Sequence, residues 1–325
     1  MQTDLTKLLG IDAPIVQGAF GPWTSVALSA AVSEAGGLGS IGSSLVAPER
    51  VAEMIAEMRE RTDRPFAVNH TWRPLSEEAF QVTLDARPAV ISLALGGPGD
   101  LAARAHEAGV RFMVQVHTVE QAVRAAEAGA DIVIAQGGEA GGFSGEVSTM
   151  ALVPQVVDAV APVPVLAAGG IADGRGLAAA LVLGAQGVNI GTRFLAAAEA
   201  EVPDGYKEAI LGAASQDAVK VAFSDLVFPP AGGPDPYATR PRAIATDFVE
   251  RYNAEPPEDG RAVGGELVRA VREGRAHDLV PFGGQTAGLI DRVLPVREIV
   301  DTMVREATER LAVVARATRG VPSAA

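Results

Sequence analysis

Short apolar runs rich in Val and Ile recur along the chain, separated by longer stretches in which apolar residues return every three or four positions. The first pattern suits strands buried on both faces, the second helices that cover them. Strands are predicted at 14–17, 37–41, 65–69, 89–94, 111–116, 131–136, 163–168 and 187–190. Helices are predicted between them, among others at 48–61, 99–108, 119–128, 151–160 and 174–183. Several helical stretches run into glycine, at Ala35-Gly36, Ala108-Gly109, Ala128-Gly129 and Leu183-Gly184, where the backbone must turn left-handed before the next strand.

Strand alternating with helix requires parallel pairing through right-handed crossovers. An open doubly wound sheet would show Gly-x-Gly-x-x-Gly after its first strand, and Gln17-Gly18-Ala19-Phe20-Gly21 lacks that spacing. Eight units in series predict an α/β fold of the (β/α)8 or TIM-barrel type. The rhythm breaks between 196 and 282, where Pro229-Pro230, Gly232-Gly233-Pro234, Pro236 and Pro256-Pro257 separate helical pieces near 205–214, 244–252 and 265–273. This segment is expected to form a smaller, mostly helical and irregular lobe over the barrel mouth. Residues 1–195 and 283–325 then make the barrel, and a last helix at 295–318 packs back on it.

At 325 residues, with 36 Gly and 5% aromatic residues, the chain is long enough for one barrel with an appendage. A net charge of −13 argues against nucleic acid and anionic membranes as partners. The absence of cysteine excludes disulfides, thiolate-held clusters and a thiol nucleophile. No secretory leader and no membrane-spanning run is legible, which predicts a cytoplasmic protein and leaves a homo-oligomer open.

Barrel active sites lie at the C-terminal ends of the strands. Those ends carry Gln17, Gly18 and Ala19; Ser43 and Ser44; Asn69 and His70; Gln115 and His117; Gln136 and the run 137–143; Gly169 and Gly170; and Gly191 and Thr192. Amides and glycines dominate, and no carboxylate or histidine cluster has metal-ligand spacing. Glycines after the seventh and eighth strands let main-chain N–H groups approach a phosphate. Neutral amides suit a planar, hydrogen-bonding heterocycle, and flavin mononucleotide (FMN) fits that description.

The segments 14–18, 31–39, 137–142, 167–176, 184–188, 191–194 and 284–289 together resemble the nitronate monooxygenase (2-nitropropane dioxygenase) family of FMN-dependent barrels. The chain is also similar to the flavin-dependent enoyl-acyl-carrier-protein reductases. The resemblance implies that Gln17, Gly18 and Ala19 lie beside the isoalloxazine ring and that Asn69 bonds its polar edge. It places Ala140, Gly141 and Gly142 along the ribityl and phosphate region, and Gly169, Gly170, Gly191 and Thr192 around the phosphate. Gln285 and Gly288 would close over the cofactor. A lysine that some relatives carry near the flavin aligns with Gln115, and an aspartate with Gln136.

The main departure is at Phe143, where relatives commonly carry the histidine that removes a proton beside a nitro group. Phenylalanine cannot accept a proton. Of the four histidines, His70 and His117 follow strands and are expected to face the mouth, His70 being preferred as a substitute base because it adjoins Asn69. Arg240, Arg242, Glu139, Glu146, Trp23 and Trp72 have bracing, capping or packing roles as ready explanations. The small-molecule substrate is expected to be an alkyl nitronate, oxidised with O2. The alternatives are reduction of an activated alkene such as an enoyl thioester by NAD(P)H, and a flavin-binding accessory protein with altered catalysis.

Overall fold

The computed structural model describes residues 1–21, 23–72, 75–227 and 239–317. Its strands are Ile15–Gln17 (β1), Gly39–Gly42 (β2), Phe66–Thr71 (β3), Val90–Ala94 (β4), Arg111–Val116 (β5), Ile132–Gln136 (β6), Gly142–Ser144 (β7), Val165–Ala168 (β8), Gly187–Ile190 (β9), Ala218–Lys220 (β10) and Arg240–Ile244 (β11). Eight of them form a parallel sheet in the order β1-β9-β8-β6-β5-β4-β3-β2. The circle closes where Gln17 N and Leu38 N donate across the seam to Leu38 O and Ile15 O, each at 2.9 Å. All eight predicted strands are present, in a TIM barrel.

The bottom of the barrel is plugged by a helix that the strand-and-helix rhythm did not predict, Asp4–Leu9. Its Thr3 cap donates to Gln186 O at 2.7 Å, at the foot of β9. Leu5 and Leu9 pack among Val16, Leu38, Ala67, Val90, Met113, Ile132 and Leu166 in the barrel interior. A ligand therefore has the opposite mouth to enter by. The final helix, Val296–Ala317, buries Ile299, Val300 and Met303. It lies so close to Gly174 that a Cβ there would sit 2.6 Å from Met303 O. Thr318, where that helix was expected to end, is outside the described residues.

The segment after the barrel contains the helices Asp204–Gly212, Asp247–Ala254 and Gly260–Arg272. Val221, Phe223, Phe248, Val249, Val263 and Leu267 form a separate apolar cluster within it. Beside these helices, the short strands β10 and β11 form an antiparallel sheet with β7. Pro241 sits in the central strand of that sheet, opposite Phe143, and a proline there hides the strand from sequence reasoning. β7 belongs to the loop after β6, so the lobe is sewn directly to one edge of the mouth. The irregular chain expected at 229–236 lies outside the described residues. No described helix is long and apolar enough to cross a membrane.

Candidate active site

Strand alternation decides which side chains the mouth receives. Ala67 and Val90 belong to the interior cluster, so Asn69 and Ser92, two positions on, also point inward and nearer the mouth. Asn69 Nδ2 donates to Ser92 Oγ at 2.9 Å. Met113 and Ile134 likewise lie in the interior and set Gln115 and Gln136 in the same layer. There the Gln115 amide donates to Gln136 Oε1 at 3.2 Å. Asn189 adds a further amide from β9, and a Cβ on Gly18 would lie 3.0 Å from its Oδ1. The result is an uncharged collar in which each amide can both donate and accept.

The same alternation turns His70 away from the mouth, which corrects the expectation for it. Its ring is 1% exposed and edge-on to Phe80 at 5.3 Å. Nδ1 lies 2.9 Å from Ser43 Oγ and Nε2 lies 3.0 Å from Thr83 Oγ1. Burial pushes its pKa down to about 4, so the imidazole is a neutral strut between β3 and the helix Glu77–Ala86. His117 is buried beneath the loop after β6, where a Cβ on Gly145 would lie 2.7 Å from the histidine Cβ. Its main-chain N–H donates to Gln121 Oε1 at 2.7 Å.

Gln17 has a structural contact of its own. Its buried side chain accepts from Ser40 N at 3.2 Å and replaces a main-chain carbonyl where β1 and β2 diverge. It closes the barrel seam. Gly18 N continues the ladder to Ile190 O at 2.8 Å, and the Ala19 Cβ lies 3.8 Å from where a Cβ on Gly42 would be.

On the far rim, Gly169 and Gly170 adopt φ of +90° and +73°, a conformation that side chains resist. Thr149 Oγ1 lies 3.0 Å from Gly169 O and 2.9 Å from a Glu139 oxygen, and Glu139 also accepts from Thr149 N at 2.9 Å. Glu139 thereby caps the helix Thr149–Val160, in line with the capping role anticipated for it. Gly191 precedes the short helix Thr192–Leu195, whose first N–H groups have no acceptor within the helix. Thr192 Oγ1 accepts from Gly284 N at 3.0 Å, and its own proton is available for an anion.

Gly141 and Gly284 touch backbone to backbone: a Cβ on Gly141 would lie 2.7 Å from Gly284 N. Ala140 N donates to Gly137 O at 3.1 Å, and Gln285 N donates to Glu139 O at 2.9 Å. The 284–285 segment thus lies over the loop after β6. Gly288 lies against Ser215 instead, 2.5 Å from a Cβ to its Oγ, and packs two loops together. Phe143 stands in β7 opposite Pro241, its ring edge-on to Phe282 at 6.2 Å. An amide collar beside a rim of left-handed glycines and a hydroxyl fits a flavin with a phosphate tail.

Comparison with known proteins supplies the family. The profile of the nitronate monooxygenase family matches residues 2–78 and 76–306. The chain belongs to the nitronate monooxygenase family. It is 41% identical over 258 residues to the (3aS,4S,5R,7aS)-5-hydroxy-7a-methyl-1-oxo-octahydro-1H-indene-4-carboxyl-CoA dehydrogenase of Mycobacterium tuberculosis, covering 78% of this chain and 69% of that one. It is 32% identical to the nitronate monooxygenase of Paraburkholderia phytofirmans, over 93% of this chain and 94% of that one. The solved structure of FabK from Thermotoga maritima superposes with a TM-score of 0.89 at 35% identity, covering 98% and 99% of the two chains. As a member of this family the chain is a flavin-dependent oxidoreductase.

Within that family frame, three residues that sequence reasoning did not select stand at the mouth. Ser92 and Asn189 complete the collar, and the parity of their strands would have found them. Lys220 carries no motif and comes from the lobe. Its Nζ donates to Ser144 O at 2.9 Å, Ser144 Oγ at 2.8 Å and Gly145 O at 2.8 Å. Burial pulls its pKa down to about 8, with Arg242 and Arg240 adding to the effect and Glu146 opposing it. Arg242 braces the loop after β6, donating from Nε to Gly138 O at 3.0 Å. Arg240 is exposed, 3.9 Å from Asp225.

Proposed function

We propose that this chain is an FMN-dependent reductase of an activated alkene conjugated to an acyl thioester, drawing electrons from NAD(P)H. The observation that carries this reading is Phe143, an apolar ring at the position where family members hold the base for carbon-acid oxidation. Oxidising a neutral nitroalkane begins by removing a proton from carbon, which Phe143 cannot do. Reducing a conjugated alkene ends by protonating a resonance-stabilised anion, a step that solvent can supply. The Mycobacterium relative, named as a dehydrogenase of a carboxyl-CoA compound, supports the thioester class.

When bound, the flavin supplies reversible hydride transfer. Asn69, Gln115 and Gln136 would hold its ring edge by hydrogen bonds. The N–H groups of Gly169, Gly170 and Gly191 and the Thr192 hydroxyl would hold its phosphate. Ala140, Gly141, Gly142 and the main chain at Gly18 and Ala19 would border the ring and tail, with Gln285 covering them. Residues 196–282 act as the lobe over this mouth, and Phe143 and Phe282 keep water from one side of it.

A second reading, oxidation of pre-formed alkyl nitronates with O2, is favoured by the family match and the Paraburkholderia relative. A nitronate is already deprotonated and so also needs no base. Purified protein should show the visible spectrum of oxidised flavin and release the mononucleotide on denaturation. Under anaerobic conditions NADH or NADPH should bleach it and crotonyl-CoA should restore the colour. Bleaching by propyl-2-nitronate alone, with O2 uptake and no response to either nicotinamide, would select the second reading.

A further inference from the structure

The loop that carries Phe143 is held by a charge that neither the barrel nor the sheet hydrogen bonds require. We propose that Lys220 is a positioning residue of the mouth, its ammonium group fixing residues 140–146 so that Phe143 borders the substrate space. This rests on the reading above that the 140–145 segment lines the site.

Four oxygens surround Nζ: Ser144 O, Ser144 Oγ and Gly145 O within 2.9 Å, and Arg240 O at 3.2 Å. An ammonium has three protons to distribute among them. Ser144 Oγ, having accepted from Lys220, donates its own proton to Ala140 O at 3.2 Å. One charge therefore restrains both ends of the turn that contains Gly141, Gly142 and Phe143. Ser144 is fully buried, so water cannot replace the ammonium there.

The carboxylate facing Nζ, Glu146, is 3.9 Å away and 71% exposed. The group is thus held more closely by main-chain and hydroxyl dipoles than by this long, exposed ion pair, and Arg242 and Arg240 on the adjoining strand repel it. Such an arrangement keeps its charge only because the oxygens around it are fixed. Losing the proton would loosen the ends of the 140–146 segment, on either side of β7, while leaving the β10–β11 and β11–β7 ladders, which are made of main-chain bonds, in register.

Hydrogen exchange followed by mass spectrometry on the full-length protein tests this without reference to flavin or turnover, so it can fail independently of the reaction proposed above. In K220M, peptides covering 140–146 should exchange about tenfold faster than in the parent, while those covering β5 and β6 keep their rates. In K220A, whose truncated side chain leaves the space open, propylammonium chloride should restore the protection, and sodium chloride at equal ionic strength should not. In the parent, protection of the same peptides, corrected for base catalysis, should fall as the pH rises from about 7 to about 9 and in K220M stay level. The charged and titratable groups that face this cluster are Glu146, Arg240 and Arg242, with His117 beneath Gly145. Unchanged exchange of 140–146 in K220M overturns the proposal. If K220M loses protection everywhere, a parent loop as protected at the upper pH as at the lower overturns it equally.

Discussion

His70 Nε2 lies 3.0 Å from the Thr83 hydroxyl, which itself donates to Ala79 O at 2.9 Å. With its own proton on Ala79 O, Thr83 accepts from the ring at Nε2, while Nδ1 lies 2.9 Å from a Ser43 hydroxyl that also reaches Asn69 O. Asn69 O accepts from Ser43 N at 2.9 Å and has the Ser43 hydroxyl at the same distance. The buried histidine is thereby locked between two hydroxyls, directly behind the collar residue Asn69.

That lock makes folding sensitive to acid. The folded pKa of about 4 lies below the ordinary histidine value of 6.5, so the unfolded chain binds more protons between the two. The contribution is fully present above about pH 6.5 and is lost as the pH falls toward 4, amounting to on the order of 3 kcal/mol. Replacing His70→Gln should flatten this part of the stability profile, measured by urea unfolding at neutral pH and near pH 4.5. An acid limb of equal depth in H70Q would refute the assignment.

Gly141 and Gly142 are adjacent but required for different reasons. A Cβ at 141 would lie 2.7 Å from main-chain atoms of Gly283 and Gly284, whereas one at 142 meets nothing within 4 Å and suffers only from φ of +66°. Gly141→Ala should lower stability by about 1–3 kcal/mol through enforced separation of the two segments. Gly142→Ala should cost about 1 kcal/mol of backbone strain. Thermal unfolding separates the two costs, and fluorescence titration with FMN should show the larger loss of affinity in G141A.

Phe143→His restores a proton acceptor at the mouth. The variant should gain turnover of neutral nitroalkanes on the alkaline side of the imidazole pKa, by about tenfold or more. Oxygen uptake with 2-nitropropane measures it. Rates equal to the parent would mean that proton removal from carbon is handled by another group.

The number and order of the barrel strands and the left-handed glycines of the rim could be read from the chain, because both depend on local requirements. Buried parallel strands need runs of branched apolar residues, and a left-handed turn needs glycine at 169 and 170. The direction of a side chain at the end of such a strand could not be read. A strand buried on both faces shows no alternation of polarity, so nothing in Asn69-His70 says which of the pair enters the mouth. The bottom plug and the outer helices settle it, by fixing Ala67 inside and Val68 outside.

Gln17 illustrates the same limit, since an amide at a strand end suits a ligand as well as it suits the seam it closes with Ser40. The sheet that joins β7 to β11 was hidden for another reason. Its strands are three to five residues long, its central one contains Pro241, and its partners lie about a hundred residues apart. By itself the sequence determined the barrel and the glycine-rich rim of its mouth, through spacing and backbone freedom. Which residues converge on the mouth, Lys220 above all, was decided only by long-range packing, because contacts between distant segments leave no periodic trace along the chain.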